Sequence, residues 1–142
     1  MNRSDAAPVA GCHFRVEIVD GNGHAVELGC AEVVFPALSV HAESQSPHAE
    51  EQLVLRRACG TDRLLHDWWA KACRGRAPLR RSVRVTLLAP DQARAVQRWR
   101  FRNARPASLL YSPLNALSAS VAMESLAIAF DSVEIETGEA AA

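Results

Sequence analysis

Apolar and polar residues alternate over several short stretches of the chain. In His13–Val19, Phe14, Val16 and Ile18 fall on one side and Arg15 and Glu17 on the other, the period of two of a half-buried strand. Asp20-Gly21-Asn22-Gly23 follows as turn chemistry, because Gly and Asn accept positive φ at little cost. A second strand is predicted over about Ala25–Leu38, with Pro36 marking its end or a bulge. Residues 39–51 are polar and rich in turn formers, and read as a mobile loop. A short strand is predicted at Leu53–Arg57.

The period then lengthens. Leu64, Leu65, Trp68, Trp69 and Ala72 recur at three- and four-residue spacing, which predicts a helix with one apolar face. Thr61 is its expected N-cap, Asp62 sits near the positive end of the dipole, Arg74 lies in the last turn and Gly75 is the expected C′ residue. Adjacent tryptophans on a helix cannot both face one core, so one of them belongs at a rim. Alternation returns in Ser82–Leu88, then a turn at Ala89–Gln92, then Arg94–Asn103, where Trp99 and Phe101 oppose Arg98, Arg100 and Arg102. Three arginines on one strand face repel unless acids lie across from them. Residues 104–118 read as an irregular connection. The last strand is predicted over Ser120–Ile135, with a bulge near Glu124 where the alternation changes phase.

The expected architecture is mainly β with one helix. It is a small β-barrel or sandwich of about six strands, with the helix inserted after the third and covering an open edge. One domain over 13–136 lies between flexible tails at 1–12 and 137–142. A length of 142 residues with 49% hydrophobic content suits a single core, and 23% charged residues is too few for a disordered chain. No apolar run approaches the roughly 18–20 residues of a membrane span, and the first eleven residues lack the apolar stretch of a signal peptide. The expectation is a chain made and assembled in the cytoplasm.

Charge changes the picture. The chain is neutral overall, yet residues 53–105 carry 14 basic and three acidic side chains, a net +11, and the remainder carries −11. Three arrangements satisfy this: acids folding onto the basic middle within one domain, acids of a neighbouring copy meeting it, or an external polyanion binding the Arg98, Arg100 and Arg102 face. The last makes the chain a nucleic-acid-binding β domain, although the aromatics that would stack bases point away from those arginines.

Chemistry is sparse. Cys12, Cys30, Cys59 and Cys73 contain no CxxC pair, and their expected role is as buried small hydrophobes. Cys59, His66 and Cys73 are seven residues apart, without the close ligand pairs of a zinc site and without a fourth ligand. There is no GxSxG, no HExxH and no Gly-rich phosphate loop. The expectation is a non-enzyme with no catalytic residue, cofactor, metal or small-molecule substrate.

An ordered set of motifs remains: His13-Phe14-Arg15-Val16-Glu17-Ile18, Ala31-Glu32-Val33-Val34, Leu53-Val54-Leu55-Arg56-Arg57-Ala58-Cys59-Gly60-Thr61 and Leu65-His66-Asp67-Trp68-Trp69 in the first half. The second half adds Arg80-Arg81-Ser82-Val83-Arg84-Val85-Thr86-Leu87-Leu88, Trp99-Arg100-Phe101-Arg102-Asn103-Ala104-Arg105-Pro106 and Ser112-Pro113-Leu114-Asn115-Ala116. In this order the chain resembles the tail tube protein family of contractile phages and phage-like injection systems, over about residues 13–136. The resemblance implies a small β domain whose copies form a hexameric ring. It also implies rings stacked into a tube, with baseplate, sheath and cap proteins as partners. Ala58-Cys59-Gly60 departs from the family's usual glycine position, and the loop after Leu38 lacks the long Gly-rich hairpin that reaches into neighbouring subunits. That departure implies a short, specialised member, a tube initiator or cap-side adaptor. By position beside the shortened hairpin, Val33, Phe35, Leu38, Arg56 and Arg57 are the expected subunit interface.

Overall fold

The computed structural model describes residues 9–38, 52–60, 62–75 and 80–137. The predicted loop at 39–51, the proposed N-cap Thr61 and the greater part of both predicted tails lie outside the described residues.

Among the described residues eight strands and one helix follow one another: β1 Phe14–Val19, β2 Ala25–Leu28, β3 Glu32–Val34, β4 Leu53–Ala58, α1 Leu64–Cys73, β5 Arg81–Leu88, β6 Ala95–Tyr111, β7 Met123–Ala129 and β8 Ser132–Thr137. The fold is mainly β with one helix, as the alternation implies, but with eight strands instead of six and with the helix after the fourth. Both extra strands come from splitting. The stretch predicted as one strand over Ala25–Leu38 breaks around Gly29, so β2 pairs with β1 while β3 pairs with β4. The stretch predicted over Ser120–Ile135 becomes strand at Met123 and is interrupted at Phe130-Asp131, beyond which the chain keeps its direction along β6 as β8. The ladders run through Glu124 without a shift, so there is no bulge there: the phase change marks the start of β7, with Val121 exposed before it. The connection read as irregular from residue 104 is strand as far as Tyr111.

All pairings are antiparallel, in the order β2-β1-β5-β6-β7-β4-β3, and β8 branches from β6. The branch is possible because β6 is 17 residues long. Its first half pairs with β5 and β8 through Gln97–Arg102, and its second half pairs with β7 through Arg105–Tyr111. The sheet does not close, since β2 and β3 end the path without meeting. Its two halves fold toward each other as a sandwich.

Two features bend β6 between its halves. Asn103 adopts φ 54°, and the register with β7 shifts between Pro106 and Ser108. Proline has no N–H to give the ladder, so a shift beside it is the expected response. Asp131, at the break between β7 and β8, clamps the bend from outside. Its carboxylate accepts from Asn103 Nδ2 at 3.0 Å and from Arg105 Nη1 at 3.0 Å, and its own N–H donates to the Arg102 carbonyl at 3.0 Å.

The turns obey local chemistry. Asp20 Oδ1 accepts from the N–H groups of Asn22 and His24, both at 2.9 Å, and Gly23 takes φ +81°. Asp91 Oδ1 does the same for Ala93 and Arg94 in the β5–β6 turn. At the helix start the N-cap position is Arg63, which makes no side-chain cap bond. Asp62 supplies the acceptor instead, its Oδ1 receiving the Leu64 N–H at 2.8 Å. Gly75 follows the helix at φ +69°, as its expected place past the C-terminus requires.

The alternating residues meet in one core. Val16, Ile18, Val83, Val85 and Phe101 from one half face Leu53, Leu55, Leu126 and Ile128 from the other, with Leu65 and Trp68 of the helix joining them. Each such burial contributes about 1.5–3 kcal/mol. The tryptophans divide as expected: Trp68 is buried, and Trp69 is only partly covered. The Arg81 guanidinium lies 5.2 Å over the Trp68 ring.

The expectation for the cysteines is corrected. Cys12, Cys59 and Cys73 are exposed, because they fall in a turn, just past the end of β4 and at the helix end, outside the alternating core positions. Cys30 alone is half-buried, and desolvation pushes its thiol up to about 12.

Among the described residues, one charged pair is buried. Arg57 on β4 and Glu124 on β7 lie opposite one another in the register, with Nε and Oε2 3.5 Å apart, and both are largely covered. Arg57 also reaches Asp62 at 3.2 Å, tying the helix start to the sheet. Removing one member of such a pair strands the other in a poor solvent. Glu124→Gln is expected to cost about 2–4 kcal/mol in urea unfolding, whereas Glu32→Gln, which breaks the exposed Arg56–Glu32 pair at 2.8 Å, is expected to cost under about 1 kcal/mol.

The Asp131 clamp gives an acid signature. The Arg105 hydrogen bond holds its carboxyl below the usual carboxylate value. Its stabilising contribution is therefore complete above the unfolded value and disappears as pH falls through the lower folded one. Asp131→Asn is expected to flatten the loss of stability below about pH 4, read as urea midpoints against pH.

Candidate subunit interface

An antiparallel sheet that does not close leaves strands with one bonded side. Among the described residues these are β2, β3 and β8, each paired with a single neighbour, and the second half of β6, where Arg105–Tyr111 pairs only with β7. An unpaired row of N–H and C=O groups is a template for a further chain. β2 exposes Val26, and β8 exposes Ile135.

The residues expected at an interface sit around β3. Val33 is half-buried against the core, while Phe35 and Leu38 just beyond it are exposed. Phe35 rests on its own chain, its ring 4.7 Å from Trp99 and 6.2 Å from Phe101. Arg56 faces outward, donating to Glu32 at 2.8 Å and to Ser125 Oγ at 3.2 Å. Arg57 does not share that surface. It is buried toward Glu124 and Asp62 within its own protomer. Val33, Phe35 and Trp99, together with Phe14 and Leu87, line an apolar cavity of about 310 Å³ where the two halves of the sandwich part at the β3 edge.

The Arg98, Arg100 and Arg102 face has acids across from it. The register sets Glu27, Glu17, Arg84, Arg100 and Glu134 side by side across β2, β1, β5, β6 and β8. Arg84 Nε donates to Glu17 at 2.8 Å. Arg102 grips Glu134 with two bonds, at 2.9 and 3.1 Å, and this holds the Glu134 carboxyl below its ordinary value. Arg98 donates to Thr86 Oγ1 at 3.3 Å and lies 3.8 Å from Glu136. The segregated charge along the sequence is thus folded together within one protomer, with β8 delivering acids to the basic strand.

Among the described residues, the largest apolar exposure lies elsewhere. The tips of β6 and β7 are joined by residues 112–122, and Leu110, Tyr111, Leu114, Leu117 and Val121 are all exposed there, Leu114 to 86% and Leu117 to 96%. Hydrogen bonds fix this connection. Ser112 Oγ accepts from Met123 N–H at 2.9 Å, and the Ser112 N–H donates to the Met123 carbonyl at 2.9 Å. Asn115 Oδ1 receives Leu117 N–H at 2.9 Å, and Ser118 Oγ receives Ser120 N–H at 3.1 Å. These leucines escape a search for alternation, because the segment has none. The readable signal is different: no charged residue occurs from Pro106 to Ala122.

The family model described as T4-like virus tail tube protein gp19 matches residues 10–134. No curated protein sequence matches the chain. Among solved structures, the fold is shared with a chain in the PVC sheath/tube terminator of an extracellular contractile injection system in its extended state. That superposition has a TM-score of 0.78 and 18% identity, covering 92% of this chain and 98% of the other. A chain of the PVC sheath-tube complex gives 0.75 and 17%, over 96% and 99%. A chain of the anti-feeding prophage baseplate gives 0.74 and 19%, over 92% and 97%.

The acid-lined arginine face makes a prediction. The double variant Glu134→Gln, Glu136→Gln is expected to elute from a heparin column at higher salt than the unaltered protein, because it uncovers Arg98, Arg100 and Arg102 without changing the strand.

Proposed function

We propose that this chain, which belongs to the T4-like virus tail tube protein gp19 family, is a structural, non-enzymatic subunit of a contractile injection particle that forms, initiates or caps a hexameric inner tube. The observation that carries the reading is the family match across residues 10–134, nearly the whole of the described domain. The physics agrees with it. A head-to-tail contact between different surfaces of identical copies closes into a ring when its rotation divides a full turn, and stacked rings make a tube. The open borders at β2, β3 and β8 are suited to such contacts.

The neighbouring rings, the sheath, the baseplate and the cap are the proposed partners, and assembly is proposed to take place in the cytoplasm. The sixfold order follows by analogy with the baseplate of the anti-feeding prophage, described as 6-fold symmetrised. A role at one end of the tube draws support from the likeness to the PVC sheath/tube terminator. Val33, Phe35, Leu38 and Arg56 are proposed to touch a neighbouring copy. Arg57 is proposed to support that surface from beneath, through its grip on Asp62 and Glu124.

Size-exclusion chromatography with light scattering, followed by electron microscopy of the peak, tests the reading. A ring of six copies, or rings stacked into rods, is the expected result. A monomer at every concentration, also in the presence of its tube and baseplate partners, would overturn it.

A further inference from the structure

The connection between β6 and β7 is an unusual surface for a chain in which charged residues make up 23%. It has no charge over Pro106–Ala122, it exposes Leu114 and Leu117 almost completely, and hydrogen bonds from Ser112, Asn115 and Ser118 hold it in shape. Apolar side chains held outward by an ordered backbone are a preformed knob, with little ordering entropy left to lose on contact.

The same chain carries a hole of matching chemistry. The cavity lined by Phe14, Val33, Phe35, Leu87 and Trp99 measures about 310 Å³. That is roughly twice the 150 Å³ apolar cavity that accepts one benzene, so there is room for one or two leucine side chains. The carboxylate at its rim, Glu32, is held by Arg56 at 2.8 Å, so docking an uncharged group strands no free charge. The knob is out of reach of its own hole. Trp99 and Tyr111 stand twelve positions apart on β6, roughly 40 Å of strand contour, and β7 and β4 lie between the knob's strand and the β3 edge.

We infer that Leu114 and Leu117 of one copy insert into the Phe35–Trp99 cavity of a second copy of this chain. This rests on the assembly reading given above. Knob and hole are different surfaces of one molecule, so the contact is heterologous and repeats from copy to copy. A buried cluster of leucine against Trp and Phe, ringed by the polar Ser118, Ser120 and Glu32, has the composition of an interface hot spot.

The test uses the full chain. Leu114→Ser, Leu117→Ser removes the knob at two exposed positions, so its circular dichroism and melting are expected to match the unaltered protein, while the concentration needed for assembly rises at least about tenfold. A photo-crosslinking residue placed at position 117 in the assembled protein is expected to yield a covalent dimer whose cross-linked peptide contains Phe35 or Trp99. Normal assembly of the double serine variant, or adducts only within one chain or only elsewhere on the neighbour, would overturn the inference and leave the tube reading intact. An unaltered protein that never assembles would instead overturn the tube reading and this inference with it.

Discussion

β6 is the constraint on which the fold depends. Its 17 residues are shared by both halves of the sandwich, so the two faces that make the core cannot be positioned independently. Phe101 on its first half is fully buried, and Leu109 on its second half packs against the same core. The angle between these halves is set by Asn103 at φ 54°, by the register shift after Pro106 and by the Asp131 carboxylate that ties residues 103 and 105 together. The Phe35–Trp99 contact and the cavity beside it inherit their shape from that angle, as does the direction in which the β6–β7 connection projects.

Charge follows the same strand. A block of positive residues along the sequence invites a search for an external anion. In the fold, β8 runs beside the first half of β6 and sets Glu134 and Glu136 against Arg100 and Arg98. The acids are distant from the basic block in sequence and adjacent to it in space. The deeper pair, Arg57 with Glu124, plays a different part, because neither group has water to fall back on. It joins β4, β7 and the helix start, and so holds the entry to α1 against the sheet.

Much of this was legible from residue order. The alternation in 14–19, 82–88 and 95–103 named the core residues, and the three- and four-residue spacing from Leu64 named the helix face. The breaks were harder to read. Gly29 is itself a break signal inside Ala25–Leu38, but the passage of pairing there from one half of the sandwich to the other is a tertiary fact that no local residue announces. The interruption at Phe130-Asp131 contains neither Gly nor Pro, and its hydrogen bonds come from Asn103 and Arg105, more than twenty residues away. The cysteines misled through their general preference for interiors, which position overrode. The interface residues follow from position beside the shortened hairpin, and position along the chain treats Arg56 and Arg57 alike. A neighbouring position on a strand points to the opposite face, so Arg56 and Arg57 belong to different environments.

The sharing of β6 has a consequence for how copies can join. Its first half completes the run β2-β1-β5-β6-β8 and its second half the run β3-β4-β7-β6, so one protomer has four borders: β2, β8, β3 and the outer side of Arg105–Tyr111. A single repeating union consumes two of them, and those left without a mate must be kept quiet by their own makeup. Brevity does this for β3, only three residues long, and the carboxylates of β8 do it there, since two such borders brought together would set acid against acid.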